Sequence, residues 1–218
     1  MAVNAEQYRS LIQELGTDVT LVAVSKTKPT EDIQALYELG QRDFGENYVQ
    51  ELTEKVPALP KDIRWHFIGH LQSNKVKNIV SFVHLIQGVD SLKLLKEIDK
   101  QSAKAGRVTD CLLQIHIATE ETKFGLDGPE LAALLVSDEF ASMKHIRVRG
   151  LMGMASFSHD QELLKKEFTV IRELYKQHGS GWDTLSMGMS SDYRLAVQEG
   201  STMVRVGSLL FGARTPVS

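Results

Sequence analysis

Two kinds of hydrophobic pattern alternate along the chain from residue 19 onward. Short apolar runs rich in β-branched residues, such as VTLVAVS at Val19–Ser25, are typical of strands buried on both faces. Between them lie segments in which apolar residues recur every three or four positions, as in HDQELLKKEFTVIRELYKQHG, which is typical of amphipathic helices. The alternation therefore predicts repeated strand–helix units.

Eight strands are predicted after a short opening helix over Ala5–Leu15. In chain order the strands are VTLVAVS, RDFG, IRWHFIG, FVHLIQGV, VTDCLLQIHIA, HIRVRGLMGMA, DTLSMG and TMVRVG. One predicted helix is opened by Pro29 and ended by Gly40, a second begins near Glu46, and a third is closed by Gly106. The other helices are LQSNKVKNIV, DGPELAALLVS, the long segment quoted above and SDYRLAVQEG.

This order of elements predicts an α/β fold. Strands that alternate with helices form parallel sheets, and eight such units close into a (β/α)8 TIM barrel. An open doubly wound sheet is the alternative, but no GxGxxG turn follows the first strand to support it. No linker divides the chain, so we expect residues 1–218 to form a single barrel domain with an extra N-terminal helix.

Composition and charge exclude several classes of protein. The chain has 218 residues, of which 42% are hydrophobic and 24% are charged, and its net charge of −3 does not favour nucleic acid or membranes as partners. The single cysteine, Cys111, excludes an internal disulfide framework. The polar N-terminus has no apolar signal segment, and no apolar stretch is long enough to span a bilayer. We therefore expect a soluble, cytoplasmic protein.

Lys26 directly follows the first predicted strand, in the segment VAVSKTKP. The active site of a TIM barrel lies at the carboxyl ends of its strands. A lysine at this position extends into solvent or points into the mouth of the barrel, and its position alone leaves both interpretations open. A lysine amine in a partly apolar site has a lowered pKa and can attack a carbonyl, so the functional interpretation is Schiff-base chemistry. Lys28 is expected to be a surface charge.

Two turns rich in glycine and serine follow the seventh and eighth predicted strands. The first, SMGMSSD, contains Ser190 and Ser191, and the second, VRVGSLLFG, contains Gly207 and Ser208. The amino ends of helices bind anions, and the loops after these two strands form the recurrent phosphate site of TIM barrels. Helix capping would explain the same residues, but their occurrence after both adjacent strands favours a phosphate site.

Arg205 is a charged residue within an apolar strand segment. Strand alternation places its side chain on the face opposite to Val204 and Val206. Towards the helices it would be a costly buried charge unless it were paired, whereas towards the barrel interior it could donate to a ligand. We favour the second orientation.

Together these segments make the sequence resemble the pyridoxal phosphate homeostasis protein family, which consists of single-domain relatives of the alanine racemase N-terminal barrel domain. The resemblance covers essentially the whole chain, through the ordered motifs VAVSKTKP, FGENYVQE, WHFIGHLQSNKVK, TKFG, RGLMGM, LSMGMSSD and VRVGSLLFG. It implies pyridoxal 5′-phosphate (PLP) as cofactor, with Lys26 forming the Schiff base and Arg205 against the pyridine nitrogen. The phosphate would be surrounded by Ser190, Ser191, Gly207 and Ser208, and the ring would lie near Asn47, His66, Ile68 and Met152.

Four positions in this resemblance keep alternative interpretations. His66 and Ile68 are equally explained as residues that fill the barrel interior. Lys123 matches a family lysine and would lie at the rim of the pocket, although a solvated loop lysine is equally consistent. His116 stands where the family usually has asparagine, which leaves open whether it bonds the cofactor or only packs in the core.

Three functions fit these residues. The first is a PLP-binding protein that serves intracellular homeostasis of the cofactor, with PLP-dependent apo-enzymes as further partners and no established catalytic activity. The second is a slow racemase or transaminase, but Arg205 beside the ring nitrogen would make PLP a poorer electron sink, and we expect no counterpart of the domain that supplies alanine racemase with a tyrosine base. The third is a Schiff-base aldolase acting on a phosphorylated sugar. We expect the first function, in a monomeric protein.

Overall fold

Eight parallel strands form one closed barrel in the order of the sequence. The computed structural model describes residues 3–119 and 124–212. The strands are β1 (Thr20–Val24), β2 (Asp43–Glu46), β3 (Arg64–Phe67), β4 (Leu85–Val89), β5 (Thr109–Ile115), β6 (Ile146–Gly153), β7 (Thr184–Met189) and β8 (Met203–Val206). The barrel closes where β1 pairs with β8, with Val22 opposite Arg205. The predicted TIM barrel is thereby confirmed.

Helices connect the strands and pack around the barrel. They are α1 (Ala5–Leu15), α2 (Thr30–Glu38), α3 (Val49–Lys55), α4 (Leu92–Lys104), α5 (Gly128–Leu135), α6 (Asp138–Ser142), α7 (Gln161–His178), α8 (Tyr193–Gln198) and α9 (Ser208–Phe211), with 3-10 helices over Val56–Ala58 and Ser73–Asn78. Local chemistry starts several of them, as at α5, where Asp127 and Glu130 form a capping box. Within residues 3–119 and 124–212, no helix combines the length and the apolar character needed to cross a membrane.

Two hydrophobic layers stabilise the barrel. Alternate strand residues point outward, and in β1 Leu21 and Ala23 join the large core between the strands and the helices. Val22, between them, points inward. It belongs to a small interior cluster that also contains Leu85, Leu112, Met152 and Met203. The barrel is therefore filled by side chains and is not a pore.

Some elements differ from the predicted ones. The segment LQSNKVKNIV forms a 3-10 helix over Ser73–Asn78 instead of an α-helix, because its short turns close through bonds such as Lys75 N–H to Gln72 O at 2.9 Å. Glu46 ends β2, and the following helix begins only at Val49. Helices α6 and α9 have no predicted counterpart, because each is too short to show a periodic pattern.

Candidate functional site

A cavity of about 290 Å³ opens at the carboxyl end of the barrel, where β1, β7 and β8 end. Six of the ten predicted site residues line it, namely Lys26, Ser190, Ser191, Arg205, Gly207 and Ser208. The rest of its wall is formed by Val24, Lys28, Phe157, Met189 and Gly212. Lysine amines, a guanidinium and two serine–glycine turns therefore meet in one cavity.

The turn that carries Lys26 has an unusual backbone. Thr27 has a φ of 64°, in the left-handed region that residues other than glycine rarely adopt. Its N–H donates to Oε1 of Glu51 at 2.5 Å. The next N–H, that of Lys28, donates to the carbonyl of Ser25 at 3.1 Å. These bonds hold the chain on both sides of Lys26 and so determine where its side chain leaves the strand.

A charge cluster of buried Glu46 and Lys55 with half-buried Glu51 supports this turn. Lys55 Nζ donates to the Ser25 carbonyl at 2.8 Å, and to Oε1 of Glu46 and of Glu51 at 2.8 and 2.5 Å. The Ser25 hydroxyl donates to the same Glu46 oxygen at 2.6 Å. Burial raises the pKa of Glu46, and the Lys55 ammonium opposes that rise. The cluster therefore ties the end of β1 to β2 and α3.

The turns after β7 and β8 are bonded to each other. The Gly207 N–H donates to the Ser190 hydroxyl oxygen at 3.2 Å. A Cβ at Gly207 would lie 3.3 Å from the side chain and carbonyl oxygen of Val24, so the end of β8 packs closely on the end of β1. Gly188 has a φ of +98°, and a Cβ there would lie 2.6 Å from that of Ala196, so glycine allows α8 to approach the strand. Ser190 and Ser191, which precede α8, and Ser208, the first residue of α9, thus meet at the cavity, where N–H and hydroxyl groups favour an anion.

Arg205 is only 4% exposed and faces the barrel interior, one of the two orientations that the sequence left open. Its Nη1 donates to the Ser186 hydroxyl oxygen at 2.6 Å, and its Nη2 donates to the Gly153 carbonyl at 2.9 Å. Burial lowers the pKa of Arg205 to about 10, while the negative charge of Asp192 opposes this shift. The guanidinium is therefore still charged at neutral pH.

A chain of hydrogen bonds runs from Arg205 through the barrel interior to Asp43. The Ser186 hydroxyl donates to Oε1 of Gln87 at 2.7 Å, and Gln87 Nε2 lies 3.0 Å from His66 Nδ1. His66 Nε2 in turn lies 3.0 Å from Oδ1 of Asp43. Arginine can only donate and an ionised carboxylate can only accept, so every link has one direction. His66 therefore carries its proton on Nε2 and accepts at Nδ1.

The four other predicted site residues do not line this cavity. Met152 belongs to the interior cluster. Ile68 packs closely against Gly45, where its side chain would lie 3.0 Å from an added Cβ. His66 is directed towards the amino-terminal end of the barrel. Asn47 lines a separate cavity of about 540 Å³, and among the described residues its buried Oδ1 has no hydrogen-bond partner. Direct contact of these four residues with a cofactor stays a prediction.

The two positions with an open role lie beyond β5. His116 is partly buried, and its backbone N–H donates to the Leu126 carbonyl at 3.0 Å. Lys123 lies outside the described residues.

Gln87, Ser186 and Phe157 have no counterpart among the residues predicted from the sequence. Gln87 and Ser186 link Arg205 to the barrel interior, and Phe157 forms part of the cavity wall although it is 81% exposed. A signal for the first two exists, because each is a polar residue inside an apolar strand segment, LIQGV or TLSMGM. Phe157 lies in a loop without a periodic pattern, so no local signal identifies it.

Comparison with known proteins gives consistent matches over almost the whole chain. The family model of the alanine racemase N-terminal domain matches residues 1–215. The pyridoxal phosphate homeostasis protein of Schizosaccharomyces pombe is 40% identical over 214 residues, which cover 94% of this chain and 90% of that protein. That of Pasteurella multocida is 39% identical over 204 residues, which cover 90% of this chain and 87% of that protein.

A solved structure matches at the level of three-dimensional shape. PipY of Synechococcus elongatus PCC7942, determined with PLP bound, matches with a TM-score of 0.86 and 38% sequence identity, and the match covers 95% of this chain and 99% of that chain. The likeness therefore extends over sequence and fold together. The chain belongs to the pyridoxal phosphate homeostasis protein family, whose barrel is that of the alanine racemase N-terminal domain.

Proposed function

We propose that the cavity at the carboxyl end of the barrel binds PLP, held as a Schiff base on Lys26, and that the protein serves homeostasis of this cofactor. The observation that carries the proposal is the meeting of Lys26, Arg205 and two serine–glycine turns in one cavity. The cavity offers an amine for an aldehyde and N–H and hydroxyl donors for a phosphate. PipY was solved with PLP bound, which supports the same ligand here.

Arg205 supports a role in holding the cofactor over a role in catalysis. PLP acts as an electron sink, and the protein tunes this property through groups near its ring nitrogen. We propose that the charged Arg205 lies beside that nitrogen and disfavours a proton there, because two positive charges would be adjacent. We propose that the phosphate is held at the turns after β7 and β8, by Ser190, Ser191, Gly207 and Ser208.

A slow racemase or transaminase is the second candidate, and it would need acid and base groups beside the substrate. Among the described residues that line the cavity, none is a tyrosine, histidine, aspartate or glutamate, and the amines are those of Lys26 and Lys28. Lys28 Nζ donates to the Phe211 carbonyl at 2.9 Å. This lining supports the binding role.

Incubation of the PLP-loaded protein with each common amino acid separates the two candidates. We expect no racemisation or keto-acid formation above that of free PLP, and transfer of PLP to an added apo-enzyme. Turnover above that of free PLP would favour the enzyme. The identity of receiving apo-enzymes, the monomeric state and the cytoplasmic location stay predictions from the sequence.

Lys26→Ala is expected to abolish covalent capture of PLP, because it removes the amine that we propose reacts with the aldehyde. The protein should absorb visible light when loaded, and borohydride should fix the mass of one PLP on the peptide that contains Lys26. Lys28→Ala is the matched control, since Lys28 lies in the same cavity, and it should retain colour and fixation. A colourless protein that takes up no added PLP, or fixation on Lys28, would contradict the proposal.

A further inference from the structure

A second cavity, of about 330 Å³, lies at the amino-terminal end of the barrel and is lined by residues from all eight strands. Asp43, Arg64, His66 and His84 form part of its wall. The filled barrel interior separates this cavity from the one that contains Lys26. The proposed function does not use it.

Three metal-binding side chains meet in this second cavity. One donor atom each from Asp43, His66 and His84 lies within 4.8 Å of the other two. Asp43 Oδ1 and His66 Nε2 are 3.0 Å apart. Zinc binds such atoms at about 2.0–2.1 Å, which places two ligands of one tetrahedral ion roughly 3.3–3.4 Å apart. The first two ligands lie slightly closer together than a shared tetrahedral ion requires and need only a small movement apart, and His84 is exposed, so its ring can turn towards them.

We propose that Asp43, His66 and His84 bind a divalent transition-metal ion of the zinc class. Two imidazole nitrogens and one carboxylate oxygen suit such an ion, whereas Mg²⁺ and Ca²⁺ prefer oxygen ligands alone. The open cavity leaves the fourth tetrahedral position to water. The site lies at the opposite end of the barrel from the proposed PLP cavity and does not require bound PLP.

Arg64 competes with the ion for Asp43. Its Nε donates to Oδ1 at 2.7 Å, and its Nη2 donates to Oδ2 at 2.5 Å. The Arg64 side chain is 48% exposed, so Nε can leave Oδ1 while Nη2 keeps Oδ2. Two other carboxylates at this cavity are already paired, because Arg149 binds both Asp110 and Asp183. Removal of the Arg64 charge should therefore tighten metal binding, which a merely structural role for Asp43 would not explain.

Metal binding would also reverse a link of the interior hydrogen-bond chain. His66 accepts from Gln87 at Nδ1 and carries its proton on Nε2. A neutral imidazole that binds a metal through Nε2 carries its proton on Nδ1 instead. Gln87 would have to accept this proton with Oε1, the oxygen that accepts from Ser186 in this structure. An ion at the amino-terminal end would thus alter the surroundings of Arg205.

Calorimetric titration of the full chain with ZnCl₂ in a non-chelating buffer tests the site. Any bound PLP is first fixed with borohydride, so that the ion cannot react with a free aldehyde. We expect one saturable zinc site per chain and no heat of binding with MgCl₂. His84→Ala should weaken zinc binding about tenfold or more, and Arg64→Met should tighten it about tenfold.

His145→Ala is the matched control, because partly exposed His145 lies 3.9 Å from Asp99 in a similar pair elsewhere, and it should leave zinc affinity unchanged. Both informative variants alter exposed side chains, and circular dichroism checks that they fold. The proposal is overturned by the absence of saturable binding, by an affinity that His84→Ala leaves unchanged, or by an affinity that Arg64→Met fails to raise. A preparation that takes up no PLP can be titrated in the same way, so failure of the PLP proposal is separate from failure of this one.

Discussion

At the scale of single residues, Thr27 shows how the turn at Lys26 is held. A left-handed conformation costs a residue other than glycine about 1–2 kcal/mol. The Glu51 carboxylate accepts the Thr27 N–H, and hydrogen bonds to charged groups contribute about 1.5–3 kcal/mol. A side chain from α3 therefore offsets the strain in a turn that lies 24 residues earlier in the chain.

Glu51→Ala is expected to leave the barrel folded and to lower the affinity for PLP about tenfold, the equivalent of about 1.4 kcal/mol. The Thr27 N–H would lose its acceptor, and Lys26 would lose its fixed direction. Equilibrium dialysis with PLP measures the change. Glu54→Ala is the control, because Glu54 is exposed on the same helix and accepts only from Gln50, at 3.1 Å, among the bonds that the structure describes. Equal losses in the two variants would show that Glu51 does not act through the turn.

At the scale of elements, inward polar residues connect four strands. His66 lies on β3, Gln87 on β4, Ser186 on β7 and Arg205 on β8, and each is at most 4% exposed. Each buried polar atom depends on its neighbour in the chain of hydrogen bonds, because an unpartnered one costs about 1–3 kcal/mol. The position of Arg205 therefore depends on strands that do not contact it directly.

Gln87→Met is expected to lower the free energy of unfolding by about 2 kcal/mol, since the Ser186 hydroxyl and His66 Nδ1 would lose their partner. The same variant should weaken PLP binding, because Ser186 would no longer orient Arg205. Denaturant unfolding and dialysis measure the two effects. Leu112→Met, in the same interior, should cost less than about 1.5 kcal/mol and leave PLP affinity unchanged. If Gln87→Met were as stable as this control, the interior hydrogen bonds would not contribute to stability as we expect.

At the scale of the whole molecule, closure of the barrel depends on close backbone contact between β6 and β7. Gly150 has a φ of +154°, and a Cβ there would lie 1.7 Å from the carbonyl oxygen of Thr184, its partner in the pairing of these strands. The Thr184 carbonyl on β7 thus occupies the space that a side chain at position 150 would need. Because the eight strands form a ring, separation of this pair would open the whole barrel.

Gly150→Ala is therefore expected to destabilise the protein by more than about 4 kcal/mol, or to prevent folding. Gly106→Ala is the control, since Gly106 has a φ of +65° with no atom within 4 Å of an added Cβ, and it should cost only about 1–2 kcal/mol. Soluble yield and thermal unfolding compare the two. Equal melting temperatures would show that β6 and β7 tolerate separation.

The sequence by itself determined most of the elements, the barrel and the end at which the cavity lies. Hydrophobic periodicity is a local property, so Val19–Ser25 is recognisable as a buried strand and Pro29 as a helix start without knowledge of distant residues. Parallel strands all end on one side of a barrel, so residues that follow strands, such as Lys26, Ser190 and Gly207, come together there. The resemblance of its motifs to those of the family predicted PLP as the cofactor.

Only the tertiary structure decided which groups each polar side chain meets. It directs Arg205 to Ser186 and His66 to Asp43, and it brings the Glu51 carboxylate to the Thr27 N–H. These partners lie 19 or more residues apart in the chain, and no local pattern encodes the distance between them. Such contacts depend on the register of the closed sheet and on the packing of helices against it, which exist only once the whole barrel has formed.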